Sequence, residues 1–177
     1  MPKLILLNGF AACGKTTLAK RYAREHPLAL DVEGDEIIVM LGQWRQNIQE
    51  AVRCKLQLSE SMVRTHLCSG YDVVLPFLLT DAKHAETYEY IARDVGADFF
   101  EIMLLVNKEE AMGRLLKRGR WGEEGLPALT EHDIPKIEKL YDDMMTATSE
   151  RTHTINIYPK ENEIDETYQM FLSAIRK

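Results

Sequence analysis

Residues 8–17 read Asn8-Gly9-Phe10-Ala11-Ala12-Cys13-Gly14-Lys15-Thr16-Thr17 and contain the pattern G-x-x-x-x-G-K-T. A short apolar run, residues 3–7, precedes the pattern, and an amphipathic stretch, residues 15–25, follows it. These flanks predict a strand before the pattern and a helix after it, which is the setting that a phosphate-binding P-loop requires. The stretch therefore predicts an α/β fold that binds a nucleoside triphosphate.

The chemistry of such a loop assigns a role to each residue type. Gly9 and Gly14 let the backbone curl so that successive N–H groups face phosphate oxygens, and the start of the following helix adds its positive dipole end. Lys15 places a charge against the β- and γ-phosphates, while the Thr16 hydroxyl suits Mg²⁺. The nucleotide-binding residues predicted in this loop are Gly9, Ala11, Ala12, Cys13, Gly14, Lys15, Thr16 and Thr17.

Length, charge and cysteine usage restrict the classes of protein that fit. The 177 residues predict a single domain, residues 1–177. The formal charge of −6 argues against a nucleic-acid partner. The three cysteines have no C-x-x-C spacing, which is typical of a reducing compartment. The first apolar run is too short to span a bilayer and no cleavage-site pattern follows it, so we expect a cytoplasmic protein without a membrane partner.

Short apolar runs alternate with longer helical patterns along the chain. Strands are predicted at residues 3–7, 28–32, 72–79, 99–106 and 154–158. Helices are predicted at residues 15–25, 35–69 (broken near Gly42 or Cys54), 81–95, 108–117, 130–146 and 164–175. This alternation predicts a three-layer α/β sandwich with a five-stranded parallel sheet, a P-loop NTPase fold. Residues 118–129 hold three glycines and a proline, which favours a small mobile lid. Ligands of such sheets bind beyond the carboxyl ends of the strands.

An acidic turn, Glu33-Gly34-Asp35, follows the second predicted strand. Phosphoryl transfer to a hydroxyl needs a group that positions the acceptor and acidic support for Mg²⁺. We expect Asp35 to be the catalytic base and Glu33 to support Mg²⁺ together with Thr16. A second interpretation makes Asp35 the N-cap of the next helix, and the two roles are compatible.

Basic residues gather where the predicted helix 108–117 meets the lid. Arg118 and Arg120 suit the charge that spreads over a transferred phosphoryl group. Together with Lys15 and Asp35 they are the predicted catalytic residues. The alternative is a solvated helix end whose cations complement its own dipole. Trp44, Arg45 and Arg53 are predicted on the long second helix, where surface or core contacts are the default interpretation.

In these features the chain resembles the P-loop small-molecule kinases, the group that includes shikimate kinase, gluconate kinase and chloramphenicol phosphotransferase. The resemblance is carried by residues 9–17, the turn 33–35 and the basic lid. It implies ATP and Mg²⁺ as cofactors and transfer of the γ-phosphoryl group to a hydroxyl of a small molecule. It also implies that Arg114 and Pro159 enclose the adenine. The chain departs from many P-loop proteins because residues 74–77, Val-Leu-Pro-Phe, lack a Walker B acid.

Other functions share these elements. A nucleoside or nucleotide kinase of the adenylate-kinase type would have the same fold and differ only in its acceptor. A regulatory GTPase would explain the D-x-x-G match at residues 31–34 and the N-K-x-E sequence at residues 107–110. However, Asp31 follows the P-loop too closely to leave room for a switch loop and its strand. A kinase of cell-wall sugar nucleotides and a kinase of nucleic-acid ends are further alternatives. The acceptor and the oligomeric state stay open.

Overall fold

The computed structural model describes residues 1–122, 128–160 and 163–176. Its sheet has five strands, all paired in parallel, in the order β2-β3-β1-β4-β5. The strands are β1 (Lys3–Gly9), β2 (Leu30–Asp31), β3 (Val73–Phe77), β4 (Asp98–Leu104) and β5 (Ile155–Ile157). The helices are α1 (Lys15–Glu25), α2 (Gly34–Met40), α3 (Ile48–Cys68), α4 (Ala82–Val95), α5 (Lys108–Arg118), α6 (Ile134–Ser149) and α7 (Ile164–Ala174).

The central strand shows why the sheet is covered on both faces. Successive side chains of a strand point to opposite faces. Accordingly, Leu4 and Leu6 pack in a core with α3 and α4, whereas Ile5 and Leu7 pack in a second core with α1, α5, α6 and α7. All four leucine and isoleucine side chains are fully buried. The predicted three-layer sandwich with a five-stranded parallel sheet is therefore confirmed.

The second strand is shorter than predicted. The expected strand 28–32 is reduced to Leu30–Asp31. Leu28 has a positive φ of 56° and is 64% exposed, so it belongs to the turn after α1. β3 keeps Pro76, which lies beyond the last β2 pair at Asp31–Val74. At Pro76, β3 has no β2 neighbour. Proline has no backbone N–H to donate to a neighbouring strand, so a sheet tolerates it at such a position.

The helical region predicted at residues 35–69 consists of two helices. α2 ends at Met40, and a turn over residues 41–47 leads into α3, which continues through Cys54. The break therefore lies near Gly42. Gln43 has a positive φ of 53°, which no helix accommodates. The turn carries Trp44 and Arg45, so the prediction that both lie on a helix is wrong.

The lid is described in part. Residues 118–122 and 128–129 belong to the described residues, and Arg120 forms an antiparallel bridge with Ala128. Residues 123–127 of the predicted lid lie outside them. In the part of the chain that the structure describes, no helix combines the length and apolar character needed to cross a membrane.

Candidate active site

The loop after β1 has the backbone geometry that its glycines permit. Gly9 and Gly14 have positive φ values of 152° and 101°. A Cβ atom at Gly9 would lie 2.8 Å from both Cys13 Sγ and the Leu104 carbonyl oxygen. Gly9 therefore lets the loop cross the end of β4, and no other residue fits there without moving its neighbours.

Asn8 fixes the start of this loop, and sequence reasoning missed it. Its Oδ1 accepts hydrogen bonds from the backbone N–H of Gly9 at 2.8 Å and of Leu79 at 3.1 Å. The side chain is buried, so two backbone donors at the ends of β1 and β3 share one acceptor. The signal in the sequence was a polar residue at the end of an otherwise apolar strand.

Lys15 lies back across the loop. Its Nζ donates to the carbonyl oxygens of Gly9 at 2.7 Å and Phe10 at 2.8 Å. These contacts hold the ammonium group at the mouth of the loop, on the side where the loop N–H groups begin α1. The predicted contact of Lys15 with a bound phosphate stays a prediction.

Thr16 and Glu33 form the pair expected to hold Mg²⁺. Thr16 Oγ1 donates to Glu33 Oε2 at 2.7 Å. Glu33 is buried, and this burial raises the pKa of its carboxyl group, while the hydrogen bond from Thr16 lowers it. Mg²⁺ takes oxygen ligands, with one or two carboxylates supplemented by substrate phosphates. A hydroxyl and a buried carboxylate in contact beside the P-loop fit this ion.

Asp31 adds a second carboxyl group close to Glu33. Its Oδ1 is buried without a hydrogen-bond partner among the described residues. Burial and repulsion by Glu33 raise the pKa of Asp31 to about 7. A nearby cation would favour the ionised form of both carboxyl groups. Two carboxyl groups therefore lie together at the end of β2, whereas β3 carries no acid.

A large cavity of about 1410 Å³ opens at the carboxyl edge of the sheet. It brings Lys15, Thr16, Glu33 and Asp35 together with Trp44, Arg45 and Phe77. Arg53 does not line it and instead pairs with Glu50 on the surface of α3. The remaining P-loop residues in its lining are Ala11, Ala12, Gly14 and Thr17.

Asp35 lies in the first turn of α2 and faces this cavity. The interpretation of Asp35 as N-cap is wrong, because α2 begins at Gly34 and Glu33 occupies the N-cap position. Glu33 accepts from Thr16. Asp35 is therefore not the cap, although its carboxylate in the first turn complements the positive end of the helix dipole.

Lys55 also lines the cavity, and sequence reasoning missed it. It shares one face of α3 with Ile48 and Val52, at helical spacings of three, four and seven residues. Its Nζ lies 5.0 Å from the centroid of the Phe77 ring. Burial lowers the pKa of Lys55, and the carboxylates of Asp35 and Glu33 oppose that shift. The spacing of Ile48, Val52 and Lys55 was visible in the sequence. It did not indicate that this face of α3 lines a cavity.

A smaller cavity of about 380 Å³ adjoins the other side of the P-loop. Ala12, Cys13 and Gly14 line it together with Arg114 and Pro159. Arg114 Nη2 donates to Glu110 Oε1 at 2.5 Å and to the Pro159 carbonyl oxygen at 3.4 Å. The two residues expected to enclose the adenine are therefore neighbours next to the P-loop.

The two lid arginines differ in position. Arg118 lines both cavities, so it lies at the junction between them. Arg120 lines neither cavity and is exposed beside its bridge to Ala128. The position of Arg118 therefore makes it the better candidate to contact a bound phosphoryl group, a choice that the sequence did not allow.

Comparison with known proteins agrees with this geometry. Residues 4–133 match the AAA domain family AAA_33. The chain belongs to this AAA domain family. Its matched part runs from β1 through the P-loop and the acidic turn to the residues just before α6. No protein of curated function matches the sequence.

Solved structures share the fold at low sequence identity. A gluconokinase from Sinorhizobium meliloti 1021 superposes with a TM-score of 0.63 and 13% identity, covering 98% of this chain and 91% of its own. The Mycobacterium tuberculosis APS kinase CysC, solved with AMPPNP and APS, gives a TM-score of 0.55 and 19% identity over 99% and 98%. A chain of the Pnkp1/Rnl/Hen1 RNA repair complex gives 0.67 and 16% identity over 91% of this chain and 50% of its own. The fold is thus that of a P-loop kinase-like NTPase.

Proposed function

We propose that the protein is an ATP-dependent kinase that transfers the γ-phosphoryl group of ATP to a hydroxyl of a small molecule. The observation that carries this proposal is the placement of Asp35 in the same cavity as Lys15 and Thr16. A nucleotide-binding loop and an unengaged carboxylate then face one space that is large enough for a triphosphate end and an acceptor.

In this proposal the two cavities bind different parts of ATP. The adenine lies in the smaller cavity between Arg114 and Pro159, and the phosphates pass along the loop N–H groups into the larger one. Lys15 exchanges the Gly9 and Phe10 carbonyls for phosphate oxygens. Thr16 and Glu33 would hold Mg²⁺, which would neutralise phosphate charge.

The transfer itself is a direct displacement. Asp35 orients the acceptor hydroxyl and takes its proton as the new O–P bond forms. The bond between the γ-phosphorus and the bridging oxygen breaks, and ADP leaves with that oxygen. Arg118, at the junction of the two cavities, bears part of the charge on the phosphoryl group during transfer.

The comparisons with known proteins support kinase activity in general, without naming an acceptor. The gluconokinase and the APS kinase with AMPPNP are kinases of small molecules by their names, and both share nearly the whole fold. The N-K-x-E sequence also has a structural explanation, which favours a kinase over a GTPase. Asn107 Oδ1 caps α5 by accepting from the Glu110 N–H at 2.9 Å, and Lys108 pairs with Asp142.

Replacing Lys15 by alanine tests the nucleotide chemistry. We expect ATP turnover to fall about 10²- to 10³-fold, because a charge that stabilises the transferred group is lost. ADP release in the presence of Mg²⁺ measures it. Lys139→Ala is the matched control, since Lys139 pairs with Asp143 on the exposed side of α6. Full turnover by the Lys15 variant would contradict the proposal.

Replacing Asp35 by asparagine tests the acceptor chemistry. The amide keeps the shape of the side chain but accepts no proton, so we expect phosphoryl transfer to fall about 10²- to 10⁴-fold. ATP affinity, measured by calorimetry, should stay near the wild-type value because Asp35 lines the large cavity and not the smaller one, in which we place the adenine. A variant that transfers normally would leave Asp35 without a catalytic role.

The nucleoside or nucleotide kinase alternative differs only in acceptor. A panel of nucleosides, nucleoside monophosphates, sugars and shikimate distinguishes it when ADP release is followed. Stimulation by the nucleosides or monophosphates alone would establish the alternative. An RNA oligonucleotide with a 5′-hydroxyl end belongs in the same panel, because one structure with this fold comes from an RNA repair complex.

A further inference from the structure

The wall of the large cavity opposite the P-loop is mainly aromatic and apolar. Trp44 and Phe77 lie on this wall, and Trp121 reaches the cavity from the lid. Ile38 and Val52 fill the space between them. Trp44 is 8% exposed and packs against Ile38, so it is part of a fixed surface. Flat apolar walls of this kind favour a planar apolar group on the ligand.

Lys55 places a cation on this wall. The ammonium group lies over the face of the Phe77 ring at 5.0 Å, and no hydrogen bond or ion pair joins it to another residue in the described part of the chain. Neither neighbouring acid is hydrogen-bonded to it: Glu33 accepts from Thr16, and Asp35 lines the cavity. A half-buried ammonium group without a hydrogen-bonded acid leaves its donors available to a ligand.

The close packing around Gly34 holds the Lys55 side chain in this place. A Cβ atom at Gly34 would lie 3.0 Å from Lys55 Cδ and 2.8 Å from Phe77 Cε1. The absence of a side chain therefore lets the lysine stem and the aromatic ring press together against the start of α2. The turn that supplies Glu33 and Asp35 thus also positions the cation beside them.

The charge of the cavity is opposite to that of the chain. The protein carries a net charge of −6, yet seven basic and four acidic side chains line this cavity. Arg45 contributes beside Trp44, with its guanidinium carbon 4.4 Å from the ring centroid. Arg45 and Lys55 are the two of these seven basic residues that lie on the turn before α3 and on α3 itself.

We infer that the phosphoryl acceptor is a planar, apolar alcohol that carries an anionic group, a carboxylate or a phosphate, and that Lys55 binds this anion. The inference rests on the proposed function, because it takes the large cavity as the acceptor site. The hydroxyl faces Asp35, the ring lies along Trp44 and Phe77, and the anion accepts from the Lys55 ammonium group. Lys55 is then a specificity-determining residue.

Matched pairs of alcohols test this inference. One pair is 4-(hydroxymethyl)benzoate and 1,4-benzenedimethanol, and the other is thymidine 5′-monophosphate and thymidine. AMPPNP and Mg²⁺ are kept saturating so that the P-loop does not bind the anion. The chain has two tryptophans, Trp44 and Trp121, and both line the cavity, so quenching of tryptophan fluorescence reports binding. In at least one pair the anion is expected to bind about tenfold more tightly than its neutral partner, as one charge-assisted hydrogen bond implies.

Variants on α3 assign the preference to one side chain. Lys55→Met should abolish the preference for the anion, and Lys55→Arg should keep most of it. Arg53→Met removes a charge from the same helix outside the cavity and should behave as wild type. Unchanged AMPPNP affinity shows that each variant is folded.

Three outcomes would overturn the inference: equal affinity within both pairs, no saturable quenching by either anion, or a preference that survives in Lys55→Met. Each leaves the kinase proposal intact as long as the wild type binds AMPPNP and turns over ATP. Failure of the wild type to bind AMPPNP would instead contradict the proposed function.

Discussion

Gly9 is the residue at which the nucleotide-binding loop has least freedom. It combines a positive φ with neighbours that leave no space for a side chain, whereas Gly14 has a positive φ but nothing within 4 Å of its virtual Cβ. The two glycines of the motif are therefore required for different reasons. Gly14 is needed because its φ is positive. Gly9 is needed because its φ is positive and because the loop passes close to the end of β4.

Gly9→Ala measures this constraint. We expect it to lower the free energy of unfolding by about 1–3 kcal/mol, because alanine must adopt a strained conformation, and to weaken ATP binding because the loop shifts. Urea unfolding and calorimetry give the two quantities. Gly42→Ala is the control, since nothing lies within 4 Å of its virtual Cβ and its φ is not positive. Equal stability of the two variants would show that the loop relaxes freely.

At the scale of elements, one ionic cluster joins α4, β4 and the segment before β5. Arg151 donates to Glu101 at 2.9 Å and to Glu89 at 2.5 Å, and Thr154 donates to Glu101 at 3.1 Å. Glu101 lies in the buried part of β4. The cluster lies away from both cavities, and its role is to hold the edge strand β5 onto the sheet.

Arg151→Ala tests this role. Removing the guanidinium group leaves the buried Glu101 carboxylate without its cation, which we expect to cost about 3 kcal/mol. The exposed pair of Lys139 and Asp143 offers a comparison, since Lys139→Ala should change stability by less than about 0.5 kcal/mol. Denaturant unfolding of both variants measures the two losses of stability. A small effect for Arg151 would mean that water reaches Glu101 or that its carboxyl group takes up a proton.

The connection between α2 and α3 shows what helical periodicity leaves undetermined. The apolar pattern over residues 35–69 correctly indicates helix on both sides of the turn. It left the break open between Gly42 and Cys54, and the structure has it near Gly42. The pattern does not give the direction of the turn, because direction depends on the packing of Trp44 against Ile38 and Ala51. That packing turns Trp44 and Arg45 into the cavity.

At the scale of the whole molecule, buried acids make stability depend on pH. The pKa of Asp31 is raised to about 7 in the folded protein, and that of Glu33 is raised as well. From about pH 4 to about pH 7 the folded state holds a proton that the unfolded state has released, so this contribution to stability falls as pH rises. Above about pH 7 both states have lost the proton and the contribution becomes constant.

Asp31→Asn isolates this contribution. The variant should gain stability relative to wild type as pH rises from about 4 to about 7, reaching roughly 1–2 kcal/mol once solvent screening of the half-buried group is allowed for. Urea unfolding at a series of pH values in the presence of EDTA gives the difference. A constant difference across this range would show that Asp31 titrates normally in the folded protein.

The sequence by itself determined the P-loop, the alternation of strands and helices and the parallel sheet. These features are local or periodic: glycine spacing fixes a backbone conformation, and apolar spacing fixes which side of an element is buried. The acidic turn was also predicted from the residues, and it lies beside the loop. The resemblance to a family implied that Arg114 and Pro159 enclose the adenine; in the structure the two are neighbours, and the adenine site stays a prediction.

The tertiary structure alone decided which side chains meet at the sheet edge. Asn8 and Leu79 are 71 residues apart and share a hydrogen bond, and Lys55 reaches Phe77 because Gly34 leaves space for both. Such contacts depend on how elements pack and on where a turn points, and no spacing within one element encodes them. The sequence therefore predicts where a triphosphate binds, while only the packing of α2, α3 and β3 shapes the large cavity beside it.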